Sequence, residues 1–331
     1  MIAETVRRLR VGEAISRHNL TVIPLLDDQP AKPSYLLMSD ALKQGLLTIE
    51  EVSVGGSVNT IKATNRATLP VLLPDSEELV GAKQNRVLNV SILVPAQTSL
   101  HIPVSCVEAG RWSYRRERFH RMQEAIRLRT QARQAREGVT SPEVGFEPSD
   151  YMLHHQARAR KAQQVHALRR MSGSPQASQG DIWHEVDRLA AEARVFSPTS
   201  AMHDVYEYHH ARLERYLEGM EPSEKQVGAL FALNGQIVGL ELFDAPDTFR
   251  KMFPKILRSY AIGALWGSEL KSPAPDSSEA EQFLEAVAKA PAEPFQAVGQ
   301  GVDVHLSGET LTGAALLDGE RLIHLYAFRT H

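Results

Sequence analysis

The chain has 331 residues, with 37 lysines and arginines, 40 aspartates and glutamates, one cysteine and a formal charge of -3. Apolar residues make up 43% and charged residues 23%, which excludes a disulfide-stapled mini-protein, a collagen-like chain and a wholly disordered one. The length suits one large domain or two ordinary ones and is ample for a buried core.

The first residues carry Arg7, Arg8 and Arg10 with no long apolar run after them, so no secretory signal is expected. No stretch approaches the roughly 18 apolar residues of a membrane span. Cys106 stands alone, which excludes an intramolecular disulfide and a cysteine-rich zinc site. These features point to a reduced, cytoplasmic protein without membrane contact. No P-loop, dinucleotide fingerprint, H-E-x-x-H or G-x-S-x-G motif occurs.

The first third reads as β-rich. Strands are expected over Leu20 to Leu26, Thr48 to Val54, Val58 to Thr64, Leu69 to Leu73, Arg86 to Val94 and Leu100 to Val107, with a short helix from Tyr35 to Leu46 stopped at Gly45. Prolines 70, 74, 95 and 103 fall near strand ends or edges, because proline cannot donate to a ladder. At Gly110 the composition changes. Arg111 to Arg170 holds 14 Arg and Lys against 6 Asp and Glu, about +8, which leaves about -11 on the rest of the chain.

Within this basic stretch, Glu117 to Arg136 reads as a helix with Phe119, Met122, Ile126 and Arg129 on one face. Glu137 to Asp150 reads as a loop, Tyr151 to Met171 as a second, polar helix, and Ser172 to Gly180 as a linker. Asp181 is the expected N-cap of a helix carrying Ile182, Val186, Leu189 and Ala193, and Ser200 to Leu217 is helical.

The last third returns to strands. Two hairpins are expected, turning at Asn234-Gly235 and at Asp318-Gly319, where the turn residues need positive φ. Between them Asp247 to Trp266 is an amphipathic helix, Ser268 to Ser278 a linker and Glu279 to Ala290 a helix. The expected fold class is α+β: a β-rich body, sandwich or barrel-like, from the N- and C-terminal thirds, with an inserted basic helical region. The expected divisions are 1–110, 111–180 and 181–331, the first and last completing one domain.

The densest polar run is Asp75 to Arg86, followed by Asn89 and flanked by apolar strands. A polar loop between core strands is where a rigid scaffold displays functional groups. Lys83 and Arg86 can hold phosphate oxygens; Gln84, Asn85 and Asn89 can orient a sugar or an amide; Glu78 is the candidate base, with Glu77 or Glu108 in support. The same run equally serves as a solvated hairpin turn with local ion pairs. Beyond Cys106, Arg111 and Trp112 can grip a base or ring by stacking, or close the end of a sheet. Cys106 reads as a buried, inert thiol. His203, Asp204 and Glu207 share a helical side but need further ligands from elsewhere to hold a metal; a metal-dependent hydrolase built on Glu77, Glu78, His203 and Asp204 is a further reading, and no metal is assigned. Glu117 and Glu124 interleave with the arginines, so the basic stretch reads as a solvated hairpin of helices rather than a nucleic-acid surface.

The run Glu77 to Asn89, with Val94-Pro95-Ala96, Ile102 to Glu108 and Gly110-Arg111-Trp112, closely resembles the ADP-ribosylglycohydrolase- and rhodanese-phosphatase-superfamily-associated protein domain. Ser197-Pro198-Thr199, Met202 to Tyr206, Gln226 to Ala229, Gly239 to Asp244 and Leu257 to Ala261 resemble it too. The likeness runs from about Val11 to the last hairpin. The family takes its name from gene neighbours acting on ADP-ribose and phosphate esters, so the resemblance implies a role in NAD or ADP-ribose metabolism by association, and no mechanism or cofactor. Where the family has Gly before the two Glu this chain has Ser76, which implies a different local turn.

Two functions follow. The first is binding or hydrolysis of an ADP-ribose-like or phosphorylated nucleotide ligand. The second is a non-catalytic interaction protein that uses a β scaffold and a basic helical arm for a protein or nucleic-acid partner.

Overall fold

A computed structural model describes residues 1–53, 56–111, 145–266 and 272–330. The helix expected over Glu117 to Arg136, the stacking role of Trp112 and the first part of the loop after Arg136 lie outside the described residues.

The fold is α+β. Its largest sheet is antiparallel and has nine strands. It joins β1 (Arg10–Val11), β2 (Ile15–Arg17) and β3 (Leu20–Leu26) to β13 (Gln226–Leu233), β14 (Gln236–Phe243), β15 (Ala292–Gln296), β16 (Val302–Ser307), β17 (Leu311–Asp318) and β18 (Arg321–Arg329). The order is β1-β3-β13-β14-β18-β17-β16-β15, with β2 on β3, so strands from the two ends of the chain share one ladder. Leu20 of β3 opposes Leu233 of β13, and Leu26 opposes Gln226. Both expected hairpins form. Asn234 (φ +51°) and Gly235 (φ +80°) make the first turn, and Gly319 (φ +57°) makes the second.

A six-stranded sheet has the order β12-β8-β9-β11-β6-β5. It contains β5 (Leu47–Glu51), β6 (Thr60–Asn65), β8 (Glu77–Gly81), β9 (Arg86–Leu88), β11 (Thr98–Cys106) and β12 (Phe146–Met152). The strand expected from Arg86 to Val94 is therefore two, because the chain leaves β9 at Asn89 and resumes as β10 (Ile92–Val94). That strand joins β7 (Val71–Leu73) and β4 (Leu36–Leu37) in a three-stranded sheet. Glu137 to Asp150 was expected to be a loop, but its last residues enter β12. Pro148 is tolerated there because β12 is an edge strand.

The helices are α1 (Ile2–Arg8), α2 (Met38–Lys43), α3 (His155–Ser172), α4 (Gln179–Ala193), α5 (Met202–Tyr208), α6 (His210–Leu217), α7 (Pro246–Ala264) and α8 (Ser277–Lys289). Asp181 is not the cap of α4: Ser178 caps it, its side chain accepting from the Asp181 N–H. The single helix expected from Ser200 to Leu217 is broken at His209 into α5 and α6.

Two apolar layers cover the large sheet. Val6 of α1 and Phe283 and Val287 of α8 share one cluster with Leu230, Leu240 and Leu325. On the opposite side Met252, Ile256 and Tyr260 of α7 and Ala157 and Val165 of α3 cluster with Phe231, Phe243 and Phe328. The alternation of side chains along β13 explains why every one of its residues is buried.

Helix α3 corrects the sequence reading most. It was expected to be polar and solvated, yet Arg158, Lys161 and Arg169 are buried. Lys161 Nζ pairs with Asp75 and donates to the carbonyls of Leu88 at 2.9 Å and Asn89 at 3.0 Å. Arg158 meets Glu241 at 2.6 Å, with both side chains 0% exposed, and lies over the Tyr326 and Phe328 rings. Arg169 pairs with Asp303. Of the described basic residues of α3, Arg158, Lys161 and Arg169 are thus neutralised inside the protein, while Arg160 and Arg170 are exposed.

In the turn before β8, Ser76 adopts φ +64°, the left-handed conformation that glycine favours. Ser76 Oγ donates to Asp75 Oδ2 at 2.8 Å. Ser76→Ala is expected to destabilise more than Ser76→Gly by about 1 kcal/mol, since only glycine relieves the left-handed strain while both remove the bond. Urea unfolding of the two variants measures this difference.

Candidate functional site

In a strand, successive side chains point to opposite faces. Along β8 this separates the two adjacent glutamates. Glu77 pairs with Lys255 of α7 at 2.5 Å. Glu78 accepts from, or shares a proton with, His203 of α5: its Oε2 is 2.9 Å from Nδ1. Glu78 is 0% exposed and His203 is 29% exposed, so a buried carboxylate fixes an imidazole that reaches solvent. The other imidazole nitrogen, Nε2, lies 3.7 Å from Glu207. Tyr151 donates to the same Glu207 at 2.7 Å and meets the His203 ring edge-on.

Burial opposes protonation of His203. The bond to Glu78 and the charges of Glu78, Glu207 and Asp204 outweigh it and hold the pKa above the ordinary histidine value of 6.5. A raised folded-state pKa contributes stability that is fully present below the unfolded value and is lost as pH rises through the folded one. The destabilisation caused by His203→Gln is therefore expected to be greatest below about pH 6.5 and to shrink above it. Urea unfolding across pH 5 to 9 checks the sign.

A second group of polar residues adjoins the first. The turn between β8 and β9 carries half-buried Lys83 and buried Gln84 and Asn85. Arg111 Nη2 donates to Asn85 Oδ1 at 2.8 Å and to the Gly81 carbonyl at 3.1 Å, and pairs with Glu108 at 2.8 Å. The Asn85 N–H donates to Glu108 Oε2 at 3.1 Å, and Thr199 Oγ1 donates to Glu108 Oε1 at 2.9 Å. Burial raises the Glu108 pKa despite Arg111 and these bonds. Asp204 acts electrostatically on both Glu108 and His203, so the two groups flank one carboxylate.

Local backbone pairing sets this arrangement. Glu108 bridges Ala201, the Met202 N–H donates to the Val107 carbonyl, and Gly110 N–H donates to the Thr199 carbonyl at 2.8 Å. A Cβ at Gly110 would stand 2.9 Å from Thr199 Cα, so the close approach of the two segments requires glycine. Ser197 Oγ accepts from the Ala201 N–H and donates to Asp204 Oδ2 at 2.6 Å, which secures the start of α5.

Arg86 is 0% exposed, donates to Gln84 Oε1 at 3.1 Å and to the Ser57 carbonyl, and lies 3.7 Å from Glu51. Gln84 Nε2 donates to the Glu108 carbonyl at 2.7 Å. Gln84 and Arg86 thus lie beneath the cluster rather than at its surface. Asn89 accepts from Ser105 at 2.7 Å and donates to the Pro175 carbonyl, apart from the others. Cys106 is buried and donates to the Glu108 carbonyl, and burial raises its pKa.

Among the described residues, no group of three or more His, Cys, Asp or Glu side chains is placed to hold a metal ion. Sequence reasoning grouped His203 with Glu78, 125 positions away, only as candidate metal ligands and not as a hydrogen-bonded pair. Thr199 and Tyr151 were not singled out either. The family-like segments Ser197 to Thr199 and Met202 to Tyr206 held the signal for Thr199 and His203.

No helix of the described residues is long and apolar enough to cross a membrane. No curated protein and no solved structure matches the chain. A family model for the ARG and Rhodanese-Phosphatase-superfamily-associated Protein domain, ARPP-1, matches residues 8–328, and the chain belongs to that family.

Proposed function

We propose that the protein binds and hydrolyses a phosphorylated, nucleotide-like ligand of the ADP-ribose class where the β8–β9 turn meets α5, in a cytoplasmic setting. The observation that carries this reading is the buried Glu78 carboxylate holding a partly exposed His203 beside the Arg111 cluster. A carboxylate on one imidazole nitrogen fixes the tautomer and leaves the other nitrogen to take a proton from water. His203 Nε2 is then the base, and Glu78 its positioning partner. Lys83 and Arg111 hold phosphate oxygens. Asn85 and Glu108 orient sugar hydroxyls. Glu77 and Asn89 are turned to other partners and take no part.

The test is a melting-temperature screen with ADP-ribose, NAD, ADP and inorganic phosphate, combined with product analysis. ADP-ribose or a close relative is expected to raise the wild-type midpoint, and Lys83→Ala/Arg111→Ala to abolish the shift. A panel on which wild type and variant behave alike removes the proposal.

A further inference from the structure

Away from this site, a cavity of about 160 Å3 opens between α1 and the end of β14. Leu9, Val227, Leu242 and Leu322 give it an apolar wall, and Arg8, Asp27, Asp244, Glu320 and Arg321 give it charge. Asp244 ends the family-like run Gly239 to Asp244, which the proposed hydrolytic site does not use.

Two of the carboxylates are buried and fixed. Asp27 is 4% exposed, accepts from Arg8 Nη2 at 2.9 Å and accepts from the Gln29 N–H at 2.9 Å. The Asp244 side chain is 5% exposed, accepts from the Tyr35 hydroxyl at 2.5 Å and pairs with Arg321. Burial holds its pKa above the ordinary carboxylate value, in spite of these partners.

The guanidiniums are anchored but not saturated. Arg321 donates Nη1 once, to Ser34 Oγ at 2.8 Å, and Nη2 to Asp244 and to the Lys32 carbonyl at 3.0 Å, which leaves one Nη1 hydrogen without a partner. Arg8 spends Nε and Nη2 on Asp27, and among the described residues nothing takes Nη1. Glu320 is exposed and has no partner among the described residues. The cavity therefore presents unspent donors on two guanidiniums, one unspent carboxylate and an apolar wall.

We infer that this cavity binds a small zwitterion, a free α-amino acid with a short aliphatic side chain. Its carboxylate meets Arg8 and Arg321, its ammonium meets Glu320, and its side chain lies on the leucine-rich wall. Three carboxylates against two guanidiniums disfavour a bare anion. The inference stands independently of the hydrolytic reading.

Isothermal titration of the full chain with valine tests it, with isobutyrate, isobutylamine and inorganic phosphate as single-charge or non-zwitterionic probes. Valine is expected to bind with a dissociation constant near or below about 1 mM, and each probe at least about tenfold more weakly. Glu320→Gln removes the ammonium partner, and Arg8→Lys removes the fork; each is expected to weaken valine binding about fivefold or more. Melting of each variant without ligand confirms folding. No valine heat, equal binding of a single-charge probe, or unchanged affinity in both folded variants would overturn the inference.

Discussion

Replacing Lys161 with Met is expected to lower the unfolding free energy by about 3–5 kcal/mol, the usual cost of leaving one member of a buried ion pair alone. The Lys161 and Asp75 side chains are both 0% exposed. The substitution strands Asp75 and removes the donor shared by the carbonyls of Leu88 and Asn89. Lys161→Met/Asp75→Leu removes both charges and is expected to recover part of the loss, because an apolar pair avoids the desolvation cost. The Leu88 carbonyl keeps the Ser76 N–H at 3.0 Å, but the Asn89 carbonyl loses its donor, so recovery is incomplete. Urea unfolding of the two single variants and the double variant measures the coupling. A K161M protein as stable as wild type would show that α3 does not depend on this pair.

Replacing His203 with Ala is expected to slow hydrolysis about 10²–10⁴-fold, the range for losing a positioned acid or base. Glu78→Gln is expected to do less, because the imidazole stays but loses the charge that holds its pKa up. The pH profile separates chemistry from folding. With His203 as base, kcat/KM rises as pH passes its elevated pKa, and in Glu78→Gln the rising limb moves to lower pH. Lys83→Ala/Arg111→Ala is expected to act mainly through KM. Hydrolysis that survives His203→Ala unchanged would leave the Glu78–His203 pair a structural clasp.

Legibility in the sequence followed how local the deciding physics was. The Asn234-Gly235 turn forms because both residues accept positive φ, and the second because Gly319 does, and that information is contiguous. Helix α7 was legible because its buried face is apolar at helical spacing. Helix α3 was not, because its buried face holds Arg158, Lys161 and Arg169, and a hydrophobic period cannot report a face whose partners are distant carboxylates. Strands β15 and β16 went unread between Ala290 and Gly313. Pro294 and the polar alternation of β15 mark an edge strand, which carries a weak apolar signal.

The candidate site divides in the same way. The run from Glu77 to Asn89 drew attention through its density of polar groups between apolar strands. Which of those groups face one another was beyond it. Glu78 and Glu77 are neighbours in sequence, yet the pleat sends one to α5 and the other to α7. His203 and Thr199 arrive from helices and loops about 100 positions later, brought in by the backbone pairing of Val107 to Gly110 with Thr199 to Met202.

The ladder that joins the two ends of the chain has a consequence for synthesis. Strand β3, almost wholly apolar, finds its central neighbour β13 about 200 residues later. At roughly 5–20 residues per second, the ribosome needs about 10–40 s to supply that partner. During this interval Leu20 to Leu26 has only the short β1 and β2 to cover it, and Arg158 and Arg169 of α3 still await Glu241 and Asp303. Nascent chains of this protein are therefore expected to depend on chaperone shielding of a hydrophobic strand until the C-terminal hairpins emerge.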